Sequence, residues 1–199
     1  MLITKQHKYV AAVIVLSAVA MRLVPHIPNF APLAAGALFA AAYLPKKYVL
    51  IVPLAAVMIS DYLLLYINPF GNPALNFSHI QPLSALFHGT TMYVWASFMI
   101  CGLLGLLLRK KQGAWRVGGV SLLSSIQFFL ITNFGVWAAG AYSRDWSGLM
   151  TSYVAGLPFL RWTVLGDLFY AAVFFGIYAL VTKQLQQNAQ PKTLAAKTV

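Results

Sequence analysis

The chain contains no glutamate, and its only carboxylates are Asp61, Asp145 and Asp167. Chemistry that needs several carboxylates is thereby nearly excluded. Charged residues make up only 9% of the 199 residues, against about a quarter in an ordinary soluble domain, while 60% are hydrophobic. That balance places the chain in a bilayer. Its single cysteine, Cys101, sits in an apolar run, so no internal disulfide is possible and the residue reads as a small core side chain. The sequence also lacks a His-Glu-x-x-His metal motif and a Gly-x-Ser-x-Gly elbow, so an enzyme is not expected.

What is present is basic and apolar. The formal net charge of +11 comes from 14 Lys and Arg residues. They flank apolar segments and do not form a stripe with interleaved aromatics, so nucleic acid is not an expected partner. Apolar runs at 9–24, 31–45, 48–66, 84–108, 117–140 and 159–182 predict six transmembrane helices. At about 20 residues per span, six spans use roughly 120 residues and leave no separate soluble domain. The Pro25-His26-Ile27-Pro28 turn removes two backbone donors and separates the first two spans. A cleaved signal peptide is therefore not expected. Between the third and fourth spans, Ile67–Leu83 is rich in Pro and Asn and reads as an ordered external cap. The expected organisation is one six-helix domain over 1–183 and a disordered cytoplasmic tail over 184–199.

Six alternating spans sort 11 of the Lys and Arg residues to one side and Arg22, Arg144 and Arg161 to the other. The positive-inside rule then puts both termini in the cytoplasm. Asn29–Ala37 and Asn133–Ala141 share six of nine residues. An inverted repeat would move Asn133 to the opposite membrane face, so the shared Ala and Gly read better as close helix packing.

With orientation fixed, His26, Asp61, His79, His88, Arg144, Asp145, Arg161 and Asp167 all fall in the outer half or the external loops. A charge at mid-membrane costs about 2.5–3.5 kcal/mol on insertion scales, so this one-sided collection points to an externally open polar cavity. Arg22 and Arg161 are candidate partners for Asp61 and Asp167, whose bland reading is a pair of structural salt bridges. His26 and Asn29 either face a ligand or, for Asn29, cap the second helix. His88 and Tyr93 begin the fourth span, with Thr90 and Thr91 between them. Trp137, Tyr142, Trp146, Tyr153 and Trp162 form an interfacial belt or wall a pocket.

The segments Arg22–Pro32, Ser60-Asp61, Thr132–Trp137 and Pro158–Tyr170, the last containing Arg161 and Gly166-Asp167, resemble small bacterial six-span proteins related to the substrate-binding S components of energy-coupling-factor vitamin transporters. Within that group the chain is most similar to the BtuM-like vitamin B12 transporters, over residues 9–182. The resemblance implies an all-α integral membrane bundle in the bacterial cytoplasmic (inner) membrane, with an external substrate cavity, no intrinsic cofactor, cobalamin as transported ligand and an energy-coupling-factor module as possible partner. It carries ligand contact to His26, Asp61, Tyr93 and Arg161. Asn29, Asn133 and Asp167 complete the expected binding set. The family's cobalt-facing cysteine is replaced here by His88, whose imidazole is a suitable axial ligand to cobalt, whereas thiolate chemistry at the metal loses its nucleophile. Two alternatives stay open: an S-component-like carrier of another vitamin, modified base or metal complex, and a structural membrane protein whose cavity is filled by its own side chains.

Overall fold

The computed structural model describes residues 5–67, 69 and 81–189, and among these the chain is helical without strands. The six long helices are α1 (Lys5–Arg22), α2 (Leu33–Tyr43), α3 (Ile51–Leu64), α4 (Thr91–Gly105), α5 (Ala114–Ala138) and α6 (Trp146–Ala189). Short 3-10 turns at Lys46–Tyr48 and Leu83–Leu86 precede α3 and α4, and a third at Leu106–Leu108 prolongs α4. Counting the adjoining turns, the helices over Lys46–Leu64, Thr91–Leu108, Ala114–Ala138 and Trp146–Asn188 are long and apolar enough to cross a membrane. The apolar parts of α1 and α2 are shorter. Six spans were expected; six helices form, and four meet the length of a span.

The bundle is organised around α2. Every residue from Leu33 to Ala42 is buried, so this helix has no outward face and is packed by α1, α3, α4 and α6. Its small residues let those neighbours come close. The Cβ of Ala18 lies 3.0 Å from where Gly36 would carry its own. Across the bundle, Gly105 of α4 packs against Leu38 and Ala41. Phe39 is the large exception, fully buried among Tyr43, Phe174, Phe175 and Tyr178. By contrast, Ile59, Leu122, Ile126, Leu165, Phe169 and Leu180 are exposed on the outer faces of α3, α5 and α6. An apolar exterior around a small-residue interior is compatible with a membrane protein.

One end of the bundle is basic. Arg109 donates to the carbonyls of Ala41 and Leu44, tying the exit of α4 to the exit of α2 beside Lys46 and Lys47. The helix carbonyls left without intrahelical donors there gain a cationic cap.

Two expectations need correcting. The sixth helix begins at Trp146, not at 159, because Asp145 caps it: its carboxylate accepts the Gly148 N–H at 2.7 Å and the Ser143 hydroxyl at 2.9 Å. Those bonds hold the Asp145 carboxyl below the usual carboxylate range, so the cap keeps its charge as the solution turns mildly acidic. Pro158 then lies inside the helix instead of before it. At its other end α6 continues to Ala189, so the disordered tail expected from Gln184 does not begin there; a helix already nucleated propagates cheaply through Gln, Leu and Ala. The rest of the tail, most of the expected 67–83 cap and His79 lie outside the described residues. In keeping with the packing reading of the two similar segments, Asn29 and Asn133 are not equivalent: the first is a turn residue with φ +65°, the second lies within α5.

Close approach of α4 to the chain before α3 rests on Gly102, where a Cβ would run into the Val49 carbonyl and lie 2.9 Å from Pro53 Cγ. Gly119, exposed on α5, has open space around it. Gly102→Ala is expected to destabilise the protein by about 1–3 kcal/mol. Gly119→Ala is expected to stabilise it by about 0.5–1 kcal/mol. Unfolding midpoints in detergent check both, and shifts of the same sign would contradict the packing described.

Candidate functional site

At the end of the bundle away from Arg109, the six helices do not close on one another and leave a cavity of about 410 Å3. Its wall is built from Arg22 at the end of α1, His26 and Asn29 in the following turn, Leu33 and Ala34 of α2, and Leu64 of α3. Val94 and Phe98 of α4, Phe128 and Thr132 of α5, and Thr163 and Asp167 of α6 face them, together with Pro28, Ala31 and Pro69. The surface is mainly apolar, with a few polar groups converging on it, which is the usual make-up of a small-molecule site.

The first polar group is Arg22. Its Nη1 donates to Asp61 Oδ1 and to Ser60 Oγ, both at 2.6 Å. The other carboxylate oxygen, Asp61 Oδ2, accepts the indole N–H of Trp95 at 2.8 Å. Three helices are joined at this point, and the pair is mostly removed from solvent, with 19% and 23% of the two side chains exposed. Both carboxylate oxygens are thus engaged, while the remaining N–H groups of the guanidinium have no hydrogen-bond partner among the described residues. Asp61 itself does not line the cavity; it holds Arg22, which does.

Opposite in sign, Asp167 is buried in α6 with 3% of its surface exposed. The Ser125 hydroxyl donates to its Oδ2 at 2.6 Å, and no cation neutralises it among the described residues. Arg161, the partner considered from the sequence, is exposed and lies over the Trp162 ring at 5.1 Å. Six residues along a helix amount to about 600°, which leaves Arg161 and Asp167 about 120° apart around the axis.

The remaining polar groups are held locally. His26 Nδ1 lies 2.7 Å from the Val24 carbonyl, a contact in which that nitrogen carries the proton. Thr132 and Thr163 donate to Phe128 O and Phe159 O of their own helices, keeping acceptor lone pairs. Asn29 occupies the left-handed region, which Asn tolerates better than most side chains. It does not cap α2, whose N-cap is Pro32 without a side-chain bond. A smaller recess of about 150 Å3 shares Asn29, Phe128, Thr132 and Thr163 with the main cavity and adds Asn133. The Asn133 amide donates to Phe129 O and fits against Gly156, where a Cβ would collide with it.

Of the residues singled out from the sequence, the structure therefore brings His26, Asn29 and Asp167 to the main cavity, Asn133 to its recess, and Asp61 behind Arg22. His88, Tyr93 and Arg161 line neither. The Thr91 hydroxyl accepts the His88 N–H and donates to Leu86 O, which fixes a turn before α4 and leaves His88 exposed beside Thr90. Tyr93 packs over Gly135 and against Phe134 of α5. No group of three or more His, Cys, Asp or Glu side chains that could hold a metal ion occurs among the described residues. Sequence reasoning treated Arg22 only as a salt-bridge partner and missed Trp95, Ser125, Thr132 and Thr163. For Ser125 the available signal was the buried run of Ser121, Ser124 and Ser125 on α5.

A model of a family described as of unknown function, DUF6580, matches residues 3–191. No curated protein and no solved structure matches the chain.

Asp61→Asn and Arg22→Gln are each expected to destabilise the protein by about 1.5–3 kcal/mol. The double variant should lose less than the sum, with a coupling of about 1 kcal/mol or more, since each single change strands the other partner. Denaturation in detergent gives the cycle, and additive losses would contradict a direct pair.

Proposed function

Given that the chain belongs to this family of unknown function, we propose that it is a membrane-embedded binding and uptake protein of the S-component type, taking a compact solute from the side of the bacterial cytoplasmic membrane facing away from the cytosol. The observation that carries this reading is the meeting of Arg22 and Asp167, from the first and last helices, on the wall of one mainly apolar cavity. Orientation is supported by charge: the cavity lies at the end opposite Lys46, Lys47 and Arg109, and basic loops face the cytoplasm.

Size favours a vitamin- or modified-base-like ligand over an intact corrinoid. A volume of about 410 Å3 lies toward the lower end of the roughly 300–1,000 Å3 typical of small-molecule sites. It suits a one- or two-ring solute, whereas a corrin macrocycle with its amide arms is several times larger. The residue expected to meet cobalt, His88, is exposed and off the cavity wall. Phe98 and Phe128, with ring centroids 5.1 Å apart, offer apolar faces for a flat ligand, while Arg22 supplies N–H donors for a carbonyl or anionic oxygen.

The test is thermal unfolding of the purified protein against a panel of vitamins, nucleobases and cobalamin. A compact ligand present at 100 times its Kd should stabilise the wild type by about 2.7 kcal/mol. Arg22→Gln should reduce that gain. A corrinoid that copurifies, colours the sample and depends on His88 would replace the compact-solute reading with the corrinoid one. Stabilisation by no solute would overturn the binding function.

A further inference from the structure

We infer that Asp167 is the subsite for a cationic nitrogen, so that the solute taken by this cavity is an amidinium- or ammonium-bearing aromatic or heteroaromatic compound; this rests on the cavity being a binding site. Among the described residues three titratable side chains line the cavity, Arg22, His26 and Asp167, and the His26 ring is held at the Val24 carbonyl. Arg22 is already matched by Asp61 at 2.6 Å, and Asp61 is further occupied by Trp95. That side is electrically closed, and it recognises a ligand through directed N–H donation. Asp167 has only the neutral Ser125 hydroxyl, on one of its two oxygens, and no cation among the described residues.

A carboxylate with 3% of its surface exposed, in an apolar wall, is stable as an anion only with a positive partner. Among the described residues no cation meets it: Arg161 of the same helix lies over Trp162, Ser125 of α5 donates to it, and the nearby Cys101 of α4 is an uncharged thiol held by Ser124 and Gln127. A ligand bringing one positive nitrogen completes the pair, with N–H groups directed at the carboxylate and its ring against Phe98 and Phe128. Thr163 is one helical turn before Asp167, and its hydroxyl, already donating to Phe159 O, accepts a second N–H from the same ligand group.

Three planar probes of one shape and different charge test this: benzamidine, benzamide and benzoate, each titrated into the detergent-solubilised wild type by calorimetry or thermal shift. Benzamidine is expected to bind at least about tenfold more tightly than benzamide, with benzoate weakest, and Asp167→Asn should abolish that order while Ser125→Ala retains it. Should Asp167→Asn fail to fold, the wild-type series still decides. Equal or tighter binding of benzamide or benzoate overturns the cationic subsite and leaves the uptake proposal standing. Binding of none of the three overturns it too, and the uptake proposal falls only if the vitamin and base panel also fails.

Discussion

A guanidinium inside an apolar bundle has to be answered by an anion, and in this protein the answer comes from 39 residues further along the chain. The Arg22–Asp61 contact, with Ser60 and Trp95 bonded to the same pair, fixes the end of α1 against α3 and α4. A low-dielectric setting makes such a node strong when complete and costly when broken. Its placement at helix ends matters. Because the prolines of the 25–32 segment stop α1 immediately after Arg22, the chain turns across the mouth of the bundle and presents His26 and Asn29 there.

The cavity exists because α2 is short. Eleven residues span about 16 Å, roughly half of a bilayer's hydrocarbon thickness. The other helices converge on it where it is present, drawn in by Gly36 and Gly105, and stay apart beyond its first turn. Leu33 and Ala34 form the floor of the space. Packing at one end and a hollow at the other are thus two results of one helix length.

Much of this was legible in the sequence. Apolar runs located all six helices, and the pairing of Arg22 with Asp61 followed from the cost of a lone charge in such surroundings. Helix limits were less accessible. Asp145 read as one more outer charge, and its capping role depends on the Gly148 N–H folding back to it. Arg161 was a candidate partner for Asp167 on the same ground, but a spacing of six residues puts them on different helix faces. His88 and Tyr93 were placed in the site by resemblance; a threonine-stabilised turn and a tyrosine seated on Gly135 direct them elsewhere. Thr132 and Thr163 lie in segments that carry the resemblance but were not singled out, since a threonine in an apolar helix usually satisfies itself on its own backbone.

That self-sufficiency of the two threonines has an evolutionary side. Each hydroxyl bonds a carbonyl of its own helix, so no hydrogen bond between helices is lost when either is exchanged for alanine, serine or valine. Assembly is guarded by Arg22, Asp61 and the glycines, whereas the two threonines shape the wall of the cavity without tying one helix to another. The hollow can therefore be relined without the bundle having to relearn how to fold.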